Sequence, residues 1–182
     1  FRRVLFRSNP RHRVLVVCTE LCSLHFQNDL NKDTMVANTI FAGGSAAAII
    51  GIDPRGKETP LLEIHNQGSA ALNGTLDMMT WEAGDYGYRM RLSASVPNRL
   101  KENIVSFAER LVGPALSFDQ CTWAVHPGAK GILEAITEAC GLEKEQIAAS
   151  WKVLSDYGNM SSPTFLFVLD EILKTTSSKK WI

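Results

Sequence analysis

No stretch of the 182 residues is apolar for long enough to cross a bilayer, and no secretory leader pattern is visible, so a cytoplasmic protein is expected. Bias of charge is missing too. Nineteen Lys and Arg balance 19 Asp and Glu, giving a net charge of +0 and a pI near 7.1. That leaves no electrostatic footprint for nucleic acid or for an anionic membrane. The four cysteines, Cys18, Cys22, Cys121 and Cys140, form no CxxC pair, and no disulfide framework or metal-ligating set is expected from them. Internal repeats and long low-complexity segments are absent as well. Gly43 and Gly44 are not followed by Gly-Lys-Ser/Thr, which excludes a phosphate-binding loop and leaves close backbone packing as their use. What remains is an ordinary globular composition, 45% hydrophobic and 21% charged.

Hydrophobic patterning divides the chain into short strands and amphipathic helices. Arg13 to Cys18 and Ala46 to Ile52 read as buried strands, with a short helix over Thr34 to Ile40 between them. Asp53 to Pro60 carries two prolines and reads as a solvated linker. Leu61 to Asn66 and Gly74 to Thr80 read as strands, Trp81 to Gly87 as a turn, and Tyr88 to Leu92 as a half-exposed strand. Pro97 in a first turn, the spacing of Leu100, Ile104, Phe107 and Leu111, and the stop at Gly113-Pro114 predict a helix ending near Val112. A second helix runs from Ala129 to Cys140 and closes on Gly141, and a third covers Glu143 to Ser150. Ser161-Ser162-Pro163 signals the start of a fourth.

Two polar residues stand out against this pattern. His126 follows the apolar run Thr122 to Val125 in Trp-Ala-Val-His-Pro-Gly, and Asn159 follows the run Ser150 to Leu154 in Tyr-Gly-Asn-Met-Ser-Ser. Read as strands of one parallel sheet, the two runs would deliver both residues to the same edge. A His and an Asn converging there can donate two hydrogen bonds to one oxyanion.

The residues WAVHPG, ILEAI and LSDYGNMSS resemble the C-terminal half of the type III polyketide synthases, the chalcone-synthase-like branch of the thiolase superfamily. The resemblance runs from about Arg11 to about Lys174 and is closer to bacterial members than to plant ones. It implies an α/β fold of the layered α/β/α thiolase type, here incomplete. Residues 9–58 would end the N-terminal half, and residues 59–174 would form most of the C-terminal half. Residues 1–8 resemble the translated sequence of a short-read sequencing adapter, which implies a chain that extends upstream. Residues 175–182 read as a polar, poorly ordered tail.

The resemblance also assigns roles. His126 and Asn159 are implied as catalytic, and Phe26, Met90 and Ser161 as substrate-binding. Acyl-CoA and malonyl-CoA are the implied substrates, with no bound cofactor and a homodimer at full length. The nucleophilic cysteine of the family lies upstream of the strand at Val14, and none of the four cysteines here stands in its context. The 182 residues alone are therefore expected to be inactive. Gly43-Gly44 departs from the family, which usually carries an acidic residue in that turn. Two alternatives remain open. One is an initiating ketoacyl-acyl-carrier-protein synthase, against which His126-Pro127-Gly128 counts, because the His of those enzymes usually precedes Gln-Ala-Asn. The other is a non-catalytic interaction module on the same fold.

Overall fold

The computed structural model describes residues 9, 11–52, 54–85, 87–175 and 181–182. Residues 1–8 and most of the expected polar tail, 176–180, lie outside the described residues. The arrangement is α/β. Strand β1 (Val14–Glu20) pairs antiparallel with β2 (Gly44–Ile50), and helix α1 (Lys32–Ile40) connects them. A second antiparallel ribbon joins β3 (Met79–Gly84) to β4 (Gly87–Leu92), and α1 packs against β4. Four helices follow: α2 (Val96–Val112), α3 (Lys130–Cys140), α4 (Ala148–Tyr157) and α5 (Ser162–Thr175).

The helix boundaries have local causes. Pro97 sits in the first turn of α2, where its missing N–H costs nothing, and Gly113 at φ 74° ends it. Gly141 closes α3 in the left-handed region at φ 62°. α2 lies along α3, with Lys101 paired to Glu138 across the contact. One core cluster forms around Leu133, Ile136, Leu142 and Ile147, joined by Ile104, Phe118, Trp123 and Val125. A second gathers Val153, Met160, Val168 and Ile172, with Ala42 and Ala124 at its edge. The loop carrying His126 runs between the two.

Five expected strands or turns fold otherwise, and one of them, Gly74 to Thr80, holds a 3-10 turn over Leu76–Met78 and enters β3 only at Met79. Ser150 to Leu154 belongs to α4, where Ser150 and Val153 are buried at a three-residue step. Thr122 to Val125 forms no ladder. Its donors go instead to Trp181 O, to Gln146 O and to the hydroxyl of Ser150, the last two next to or within α4. Leu61 to Asn66 is exposed and lies outside the two ribbons, and the side chain of Asn66 donates to Leu111 O on α2. Trp81 to Gly84 is strand rather than turn, since the register pairs Gly84 with Gly87 and the hairpin tightens to its tip. Nor is there a shared parallel sheet. Among the described residues the parallel contacts are isolated bridges, Phe41 with Asn159 and Cys121 with Trp181. Residue 181, inside the expected polar tail, is thus paired.

The β1–β2 ribbon is also less covered than expected. Val16 and Cys18 are half-buried and α5 packs on the ribbon, while Leu15, Val17 and Ile49 on the alternate positions are 60% or more exposed.

Candidate active site

Asn159 lies at the junction of three elements. Gly158 caps α4 at φ 72°, donating to Leu154 O, and the chain then turns beside the end of α1. A Cβ on Gly158 would stand 3.0 Å from Ile40 O, so the close passage requires glycine twice over. Asn159 N donates to Ile40 O at 2.9 Å, and Asn159 O accepts from Ala42 N at 2.9 Å. These two bonds are the parallel bridge to Phe41. The next residue, Met160, is buried over Gly44, where a Cβ would fall 2.5 Å from its sulfur.

The Asn159 side chain is 5% exposed and fully oriented. Its Nδ2 donates to Gly128 O at 3.0 Å, and its Oδ1 accepts from Ser161 N at 2.8 Å. One acceptor and one donor at opposite ends fix which atom is nitrogen and which is oxygen. Gly128 is two residues beyond His126, and Gly128 N donates back to His126 O at 2.9 Å. The imidazole lies along this glycine, with Cδ2 and Nε2 within 3.9 Å of where a Cβ would stand. His126 and Asn159 therefore converge on Gly128, one through its ring and one through its amide. Pro127 between them is fully buried and holds the loop.

His126 is accessible to solvent, but the part of its ring packed on protein loses hydration, which pushes its pKa below 6.5. Near neutral pH it is a neutral imidazole with one N–H to give. Asn159 has a second Nδ2 hydrogen beyond the one used by Gly128. The pair thus offers uncharged donors from two directions.

Ser161 joins this group through its backbone, and its hydroxyl touches Cys22 Sγ at 3.7 Å. The head of α5 is tied to β1 by Ser162, whose hydroxyl donates to Glu20 Oε1 at 2.6 Å. Met90 is buried on β4 and sits opposite Trp81 in the register. Phe26 is 66% exposed and takes part in no aromatic pair among the described residues. The aromatic residue opposite Asn159 in the isolated bridge is Phe41, flanked by the two residues that bond to Asn159, and its ring lies 6.2 Å from that of Trp81. His25 fills the other side of Trp81 at 5.2 Å and meets Tyr88 at 5.7 Å. Phe41 escaped the sequence reading because it precedes Ala-Gly-Gly and was absorbed into a small-residue turn. A large aromatic at a helix end, just before that turn, was the available signal.

Neither Cys121 nor Cys140 is an activated thiol. Burial pushes Cys140 up, and burial with the charge of Asp119 pushes Cys121 up. Among the described residues no group of three His, Cys, Asp or Glu could hold a metal ion, and no helix is long and apolar enough to cross a membrane.

Comparison with known proteins gives this geometry a setting. Residues 63–182 match the family model "Chalcone and stilbene synthases, C-terminal domain". "Probable polyketide synthase 1" of Dictyostelium discoideum is 40% identical over 180 residues, which are 95% of this chain and 6% of that protein. "Type III polyketide synthase A" of Arabidopsis thaliana is 36% identical over 169 residues, 90% of this chain and 43% of that one. Among solved structures, the C-terminal type III polyketide synthase domain of Steely1, a type I/III hybrid from Dictyostelium, superposes with a TM-score of 0.88 at 40% identity. It is matched over 95% of this chain and 50% of its own length. PKS-I of the brown alga Ectocarpus siliculosus gives 0.84 at 35% identity, over 92% of this chain and 45% of its own. The chain spans half or less of each of these relatives.

Proposed function

Because the chain belongs to the chalcone and stilbene synthase family, with a thiolase-like fold, we propose that it supplies the oxyanion-stabilising part of a type III polyketide synthase site. The observation that carries this is the buried Asn159 carboxamide, locked at both ends and joined to the His126 loop through Gly128. In this reading the nucleophile is a cysteine outside these 182 residues. Its thiolate attacks an acyl-CoA, and CoA leaves as thiolate from the tetrahedral intermediate. Malonyl-CoA then loses carbon dioxide, and the electrons of the broken C–C bond pass to the thioester oxygen as an enolate. The enolate carbon attacks the acyl-cysteine, and the thiolate is expelled.

Negative charge gathers on oxygen at each stage, which is where two fixed donors matter. The free Nδ2–H of Asn159 and the N–H of His126 take that oxygen between them. Neither gains from being charged beforehand, and the lowered pKa of His126 supports a neutral donor at rest. Beside a thiolate the imidazole gains a partner and takes its second role, stabilising the thiolate form. Phe41, which bridges to Asn159, and Trp81, whose ring lies by that of Phe41, add to Phe26 as the apolar wall that disfavours a malonyl carboxylate and favours its departure. The CoA thioesters are the substrates, no bound cofactor takes part, and the full-length protein acts as a cytoplasmic homodimer.

The test is malonyl-CoA decarboxylation and polyketide formation from an acyl-CoA by the full-length protein carrying this sequence. Asn159→Ala is expected to slow decarboxylation on the order of a hundredfold, the usual cost of one oxyanion donor. Decarboxylation unaffected by that change, or polyketide made by the purified 182-residue chain, would overturn the assignment.

A further inference from the structure

We propose that Ser161 is a positioning residue for Asn159 and that it acts through its backbone, not its hydroxyl. This rests on Asn159 being the oxyanion donor. Ser161 has φ 58°, and it is the non-glycine residue in the left-handed region among those described. A side chain disfavours that conformation, so it persists where the surroundings over-determine it.

The surroundings do so from both directions. On the N-terminal side, Asn159 is clamped by its two bonds to Ile40 and Ala42, and Met160 is wedged over Gly44. On the C-terminal side, Thr164 N donates to Ser161 O at 3.2 Å as α5 begins, and Ser162 is tied to Glu20. Between these anchors the chain turns sharply at residue 161, and the turn points its N–H back at Asn159 Oδ1, 2.8 Å away.

That N–H decides which face of the carboxamide reaches the oxyanion. An asparagine amide has two orientations related by a flip about its last side-chain bond. Flipped, Asn159 would set Nδ2 against the Ser161 N–H and Oδ1 against Gly128 O, opposing donor to donor and acceptor to acceptor. The Gly128 contact belongs to the His126 loop, while the Ser161 contact belongs to the head of α5. The carboxamide is thus held from both sides, with Nδ2 turned to the His126 loop and Oδ1 to the head of α5. The Ser161 hydroxyl is occupied elsewhere, in a contact with the Cys22 thiol, and takes no part.

The experiment is side-chain amide NMR on the 182-residue chain, following the Asn159 carboxamide pair, identified by its disappearance in Asn159→Ala. In the native chain one of its two protons is hydrogen-bonded, and its exchange with water is expected to be slowed by roughly tenfold or more relative to exposed asparagines. Ser161→Gly deletes the hydroxyl but adopts the left-handed conformation freely, and it is expected to leave the pair unchanged. Ser161→Val resists that conformation and is expected to release the pair to free-amide positions and fast exchange. Loss of the signature in Ser161→Gly would overturn the proposal, and that comparison decides even where Ser161→Val fails to fold. An unchanged pair in a folded Ser161→Val would overturn it equally. No turnover enters the readout, so a full-length protein that makes no polyketide would strike the functional reading alone.

Discussion

Asn159→Asp exchanges one amide nitrogen for an oxygen and changes almost no volume, which makes it a clean probe of the locked carboxamide. The side chain is 5% exposed, so what replaces it cannot turn to water. Oδ1 keeps its bond from Ser161 N, but the new oxygen faces Gly128 O at 3.0 Å with no proton between them. The lost hydrogen bond is worth about 1 kcal/mol, and leaving the Gly128 carbonyl unpaired in a buried place adds about 1–3 kcal/mol. Near neutral pH the variant should therefore be roughly 2–4 kcal/mol less stable. Acid should relieve the loss, because a protonated carboxyl can donate to Gly128 O in place of the amide. The sign follows from linkage. Burial raises the folded-state pKa of the introduced Asp above its unfolded value of about 3.9. Stability is thus closest to native below the unfolded pKa and falls as pH rises through the folded one. Urea unfolding followed by tryptophan fluorescence at pH 4 and pH 7.5, on both chains, measures it. A deficit that is the same at both pH values, or smaller than about 0.5 kcal/mol at the higher one, would show that Asn159 is not held as described.

The lowered pKa of His126 has the opposite sense. Its folded pKa lies below 6.5, so the unfolded chain binds the proton first and stability falls as pH drops through that region. Proton NMR titration of the ring should give a midpoint below that of a free imidazole, and His126→Gln should flatten this part of the stability profile. A midpoint at or above 6.5 would refute it. Gly44→Ala should cost about 1–3 kcal/mol by overpacking, because its new methyl meets the sulfur of a buried Met160. Pairing it with Met160→Ala should return part of that loss, and a double-mutant cycle with no coupling would refute the contact.

Much of the helical frame was legible because it is written locally. Pro97, Gly113 and Gly141 mark helix ends by chemistry that needs no distant partner, and α2 and α3 follow them. The strands required partners and were harder. Ser150 to Leu154 is too short an apolar run for its period to be read, and the burial of Ser150 depends on the amide of Val125 reaching its hydroxyl. His126 and Asn159 were legible as a motif, although the geometry that joins them runs through Gly128 and an isolated bridge rather than a shared sheet edge. Phe41 was not, because it meets Asn159 through backbone bonds of its neighbours Ile40 and Ala42, far apart in sequence from Asn159, and such bonds leave no mark on side-chain type.

The bare side of the β1–β2 ribbon governs how the chain behaves as a solute. Leu15 and Ile49 face each other in the register, Val17 and Ala47 stand next, and neither Lys, Arg, Asp nor Glu interrupts them. A two-stranded ribbon with such a face has few of the defences that keep sheets apart, which are charge, proline and bulges. With a net charge of zero, long-range repulsion adds nothing. Clarity of a purified solution should therefore hinge on concentration and salt more than on temperature. A single Lys at Val17 would be the cheapest way to keep the material in solution without touching His126 or Asn159.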